Sequence, residues 1–140
     1  MINLTHLEKQ HQNIKEVIKV IVDMAEKSDY ENNLMEITLH INKLAGLLNV
    51  HLLSEDEFMY PALKASEDIE IRALSESYSS EMGDLVTEFS TYKNSYNTKN
   101  KVLADIGCFI PATKAIVNKI KNRMEKEDNN LYNLISQKGI

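Results

Sequence analysis

LMEITLHINKLAGLLNVHLLSEDEFMYP, residues 34–61, decides the fold. Leu34, Ile37, Ile41, Leu44 and Leu48 recur at spacings of three and four, the period of a helix with one apolar face. The same stripe continues through His51, Glu55 and Phe58, so an imidazole and a carboxylate are expected on a face that turns to the core. Pro61 has no backbone N–H and is expected to end or kink this helix.

Working outward, three more stripes of the same period appear. Before the quoted stretch run Leu4, Leu7, His11, Ile14, Ile18, Ile21 and Ala25, with Thr5 and Glu8 spaced as a capping box. Ser28 and Glu31 repeat that spacing and predict the start of the second helix. A polar stretch from Lys64 to Asp68 leads to a third stripe: Ile71, Leu74, Tyr78, Glu81, Leu85, Phe89, Tyr92 and Tyr96, with Met82 off it. Asn94 to Lys101 reads as a loop. The last helix is predicted from about Pro111, since proline suits a first turn. It carries Ile116, Ile120, Arg123, Glu127, Leu131 and Leu134, and Gly139 stops it. Four long helices with short connections predict an all-α, up-down-up-down four-helix bundle, one domain over residues 1–140.

Composition agrees. The chain has only 4 Gly and 2 Pro among 140 residues, with 43% apolar, which favours long helices over many short strands. A formal charge of −5 disfavours nucleic acid as a partner. No apolar run approaches the roughly 20 residues that span a bilayer, so no membrane partner is expected. The N-terminal residues do not read as a signal peptide. Cys108 is the only cysteine, which excludes an intrachain disulfide and fits a reducing, cytoplasmic setting.

Each stripe carries a polar residue: His11, then His51 and Glu55, then Glu81, then Arg123 and Glu127. Counted from a turn near residue 29, His11 and the His51/Glu55 pair fall within about two turns of the same height, at ~1.5 Å per residue. The halves also echo each other: HLLSED at 51–56 with Tyr60 after it, and RMEKED at 123–128 with Tyr132 after it. These side chains are therefore expected in one layer. With neutral histidines three glutamates and one arginine sum to −2, and buried charge needs a partner or a metal. One divalent cation, or a hydroxide-bridged pair, would balance it; imidazole and carboxylate donors suit iron, manganese or zinc. The alternative is a metal-free network in which Arg123 pairs with glutamates and a histidine takes a proton.

His11, the His51-x-x-x-Glu55 motif followed by Asp56 and Tyr60-Pro61, and Glu127-Asp128 with Leu131-Tyr132 resemble the hemerythrin-like (HHE cation-binding) domain over nearly the whole chain. The resemblance implies a bundle binding non-heme iron, mono- or dinuclear, in oxygen binding, redox, oxygen or nitric oxide sensing, or iron handling. It carries His11, His51, Glu55 and Glu127 over as metal ligands. Glu81 and Arg123 stand where the family usually offers histidine. Glutamate can still bind iron, so Glu81 is expected as a fifth ligand. Arginine cannot, so Arg123 is assigned to the carboxylates or a bound anion. These departures argue against reversible oxygen binding of the hemerythrin type, and not against a metal site. The resulting expectation is a binding or sensing protein, meeting a diatomic or peroxide ligand and, if a sensor, a protein partner. A non-heme iron enzyme acting on peroxide or oxygen is the alternative. His40, roughly 16 Å from His51 along the helix, His6 in the first turn, and Asp56 and Asp128 off the stripes are expected outside the layer. Cys108 is expected as a small buried residue, and Tyr60, Tyr78 and Tyr132 as fillers of core gaps.

Overall fold

The computed structural model describes residues 2–140; Met1, within the expected 1–140 unit, lies outside them. Helix α1 is Leu4–Ala25, followed by a short 3₁₀ turn, Tyr30–Asn33. Helix α2 (Leu34–Ser54) passes through a π turn, Glu55–Met59, directly into α3 (Tyr60–Lys64). Then come α4 (Ile69–Tyr96), the short α5 (Lys99–Ala104) and α6 (Ile106–Lys126), which passes through a second π turn, Glu127–Leu131, into α7 (Tyr132–Lys138). Four long rods result: α1, α2–α3, α4 and α6–α7, packed as an up-down-up-down bundle. No strand occurs among the described residues.

Several boundaries differ from the sequence reading for local reasons. The cap of α1 is Asn3, which accepts from the His6 N–H at 3.1 Å, so Thr5 and Glu8 lie inside the helix. Ser28 and Glu31 do not cap α2; the 3₁₀ turn intervenes, and α2 begins without a side-chain cap. Pro61 does not stop its rod, because the π turn precedes it and α3 continues to Lys64. The expected 94–101 loop is largely helical: Tyr92 and Tyr96 pack with tilted rings whose centroids are 5.3 Å apart, and Tyr96 meets Phe109 at 5.3 Å, which keeps α4 wound to Tyr96. Helix α6 starts at Ile106, ahead of Pro111, because Phe109 is fully buried and fixes the first turn. Gly139 does end α7, with φ 68°, and Ile140 N–H reaches back to the Ile135 carbonyl at 3.2 Å.

The π turns decide which side chains face inward. Each fits one extra residue into the turn, shown by Tyr60 N–H bonding the Glu55 carbonyl and Tyr132 N–H bonding that of Glu127. Downstream positions rotate by one. Phe58, expected in the core, is 73% exposed, and its neighbour Met59 is fully buried. In α7 Ile135, not Leu134, is buried alongside Tyr132. On α4 the stripe swaps between neighbours: Met82 is buried and Glu81 exposed. A position after Tyr78 can be filled at a spacing of three or four, and burying the thioether strands no charge.

The apolar interior falls into two clusters. One, around Ile14, Ile18, Ile37, Ile41, Phe109 and Ile120, fills the end of the bundle that holds the first interhelical turn. The other, around Leu7, Met59, Leu63, Ile71, Leu131 and Ile135, fills the opposite end. Fully buried His11, His51, Glu55 and Glu127 come from the same rods as these clusters but belong to neither.

Candidate metal centre

Four rods would give four ligands if each contributed one; here three rods supply them all. His11 comes from α1, His51 and Glu55 from α2 and its π turn, and Glu127 from the second π turn. One donor atom from each lies within 4.8 Å of the others. His51 Nε2 is 3.1 Å from Glu55 Oε1 and 3.7 Å from Glu127 Oε1, and His11 Nε2 is 3.3 Å from Glu127 Oε1. The two histidine Nε2 atoms face each other at 3.0 Å.

The surrounding hydrogen bonds fix the tautomers. His11 Nδ1 lies 2.7 Å from Asp128 Oδ1, and a carboxylate oxygen only accepts, so Nδ1 carries the proton. His51 Nδ1 lies 2.7 Å from Gln10 Oε1, which also only accepts. Gln10 is oriented by its amide nitrogen, 3.2 Å from both Ser54 Oγ and His6 Nε2. Both Nε2 atoms therefore point lone pairs inward in the neutral rings. Glu55 Oε1 and Glu127 Oε1 also point inward, buried without a hydrogen-bond partner. The outer oxygens are satisfied: Tyr132 donates its hydroxyl to Glu55 Oε2 at 3.0 Å, and Tyr60 donates to Glu127 Oε2 at 3.1 Å.

Four lone-pair donors converging in a dry layer repel one another unless something positive lies among them. Bonds of about 2.0–2.2 Å place neighbouring donors about 3.0–3.5 Å apart around one ion; the 3.0, 3.1 and 3.3 Å spacings fall in that range, and the 3.7 Å spacing of His51 from Glu127 lies just outside it. The two glutamates bring −2. The residues present thus fit a divalent cation. Without one, protons supply the charge. Burial pulls the His51 pKa down, but Glu127 and Glu55 outweigh it and hold it at about 9. Burial and the Glu127 charge push Glu55 up to about 8. Burial opposes ionisation of Glu127 too, yet the hydrogen bonds it accepts from Glu55, His11 and His51 once protons occupy the centre hold it well below the carboxylate range. Burial and both carboxylates raise the tyrosine hydroxyls, so Tyr60 and Tyr132 remain donors.

Glu81 and Arg123 are not in this cluster. Arg123 is 6% exposed and gives one Nη to the Tyr78 carbonyl at 2.7 Å and the other to Glu81. Its guanidinium lies 4.2 Å from the Tyr78 ring centroid. Glu81, half exposed, also accepts from Lys126 at 3.1 Å, and Lys126 and Arg123 hold its carboxyl below the ordinary range. The pair cancels itself, so the −2 left at the centre is that of Glu55 and Glu127 alone.

Four partners were missed in the sequence. Asp128, expected in solvent, supports His11; Gln10 supports His51; and Tyr60 and Tyr132 reach the carboxylates instead of only filling gaps. The signal for the tyrosines was present: each follows its glutamate by five residues in both halves. Asp56 is exposed, His6 is exposed in the first turn, and His40 bonds the Glu36 carbonyl at 2.8 Å on the bundle's outer side. Cys108, expected buried, is exposed.

No helix is long and apolar enough to cross a membrane among the described residues. No curated protein and no solved structure matches the chain. The model of the hemerythrin HHE cation binding domain matches residues 3–135. A bundle of this topology, with two imidazoles and two carboxylates aimed at one point in its core and that match along almost its full length, belongs to the hemerythrin HHE cation-binding domain family.

Proposed function

We propose that this chain binds non-heme iron through His11, His51, Glu55 and Glu127 and serves as a binding or sensing protein. The observation that carries the reading is the pair of buried, unpartnered carboxylate oxygens facing two inward imidazole lone pairs. A mixed nitrogen and oxygen donor set suits iron, with manganese and zinc as competitors. Bound iron would supply a redox-active centre able to meet dioxygen, peroxide or nitric oxide. The protein's own residues bind and orient: Asp128 and Gln10 aim the imidazoles, Tyr60 and Tyr132 keep one oxygen of each carboxylate inward, and the two apolar clusters keep bulk water out. A lone, exposed cysteine is consistent with work in a reducing compartment such as the cytoplasm.

The test is metal content of protein purified without chelators and after anaerobic ferrous loading, beside His51→Ala. Iron retained by the native chain and lost from the variant supports the reading. No metal in either overturns it and leaves a proton-neutralised structural layer. Catalytic turnover of peroxide by the loaded protein would move the assignment from sensing to enzyme.

A further inference from the structure

We infer that the core of this chain takes one ion and not two, and that the Arg123–Glu81 pair stands permanently where a second ion's ligands would be. The inference rests on the reading that the core binds metal at all.

The argument begins with the repeat. His51 precedes Glu55 by four residues and Tyr60 by nine; Arg123 precedes Glu127 by four and Tyr132 by nine. Both halves place a π turn at the glutamate, and each tyrosine crosses to the other half's glutamate. The two halves are thus structural counterparts. In the first, His51 of α2 meets His11 of α1 at 3.0 Å. In the second, Arg123 of α6 meets Glu81 of α4. One half offers two nitrogen donors; the other offers a fixed cation with its own counter-ion.

Three consequences exclude a second ion. First, His11, His51, Glu55 and Glu127 form the one such ligand cluster found among the described residues, and their spacings suit one ion. Second, the outer oxygen of each glutamate already accepts a tyrosine hydroxyl, which competes with its use in bridging to a second ion. Third, Arg123 keeps its proton at any accessible pH and has no lone pair to offer, so the position that His51 fills in the first half supplies no donor in the second.

The experiment is anaerobic titration of the full chain with cobalt(II) as an optically visible probe and with ferrous iron, followed by desalting and metal analysis. The expected result is saturation at one equivalent, with visible ligand-field bands that stop growing there. Saturation at two overturns the inference while the metal-binding reading survives; no retained metal overturns both. The double variant Arg123→His/Glu81→His is expected to take a second equivalent. If it folds, by circular dichroism, and still stops at one, the pair is not what excludes the second ion. If it does not fold, the native stoichiometry alone decides.

Discussion

Tyr132 hands its hydroxyl to Glu55 across the bundle at 3.0 Å, linking the last helix to the π turn of the second rod. Tyr60 makes the reciprocal bond to Glu127 at 3.1 Å. Removing either donor leaves a buried carboxyl oxygen unpaired. Tyr132→Phe is expected to destabilise the metal-free protein by about 1–3 kcal/mol, with Tyr60→Phe acting in the same direction. Denaturant unfolding of chelator-treated protein measures this, and an unchanged midpoint would show that the bond contributes nothing.

Stability should depend on pH in a defined window. His51 sits at about 9 against an ordinary 6.5, and Glu55 at about 8 against 4.5. A group whose pKa is higher folded than unfolded stabilises the fold below its unfolded value and ceases to do so above its folded one. The His51 contribution is complete below 6.5 and gone above about 9; that of Glu55 is complete below 4.5 and gone above about 8. Glu127 has the opposite sign, and its contribution fades only in acid. Metal-free protein should therefore melt at progressively lower temperature from about pH 4.5 to about 9, with Glu55 acting first and His51 joining above 6.5. Metal displaces both protons, so loaded protein should lack this fall. A melting temperature that rises with pH in the metal-free form would refute the assignment.

The supports of the imidazoles can be separated from the ligands. Asp128→Asn keeps an acceptor beside His11 but removes the charge, and Gln10→Ala removes the acceptor beside His51. Such outer partners are worth roughly 10–100-fold in metal affinity. Competition against a chelator should show a loss of that size for each variant, with helix content intact. Native affinity in both would mean that the rings are held by packing alone.

The π turns make an unusual prediction about neighbours. Phe58→Ala, at a 73% exposed site, should change stability by no more than about 0.5 kcal/mol. Met59→Ala, fully buried, should cost about 2–5 kcal/mol. An unbroken α-helix through this segment would reverse the order, so the two melting curves test the bulge directly.

These differences mark where sequence periodicity stops being informative. Stripes at spacings of three and four located all four rods and put His11, His51, Glu55 and Glu127 on inward faces, because those positions precede or begin the π turns. Beyond them a fixed period of 3.6 fails. Phe58 and Leu134 were assigned inward, and Met59 and Ile135 took their places once each turn gained a residue. Glu81 failed for another reason. Residues 81 and 82 both fit the period after Tyr78, and the choice turned on Arg123 and Lys126, which draw the carboxylate outward from another helix. Asp128 and Gln10 lie off the stripes, where their contacts to the rings depend on how neighbouring rods are rotated.

The polar layer also sets how this protein can come apart. Two apolar clusters on either side of it share no buried residue, so each end of the bundle has its own reason to stay folded. What joins them is the histidine, glutamate and tyrosine layer, together with the continuity of the rods. In the absence of an ion the end containing α3, α7 and the start of α1 can open as its own cooperative unit, exposing the site while the other end persists. An ion held by α1, α2 and the second π turn would weld the two units into one, and amide exchange at the α3–α7 end would then slow to the rate of global unfolding.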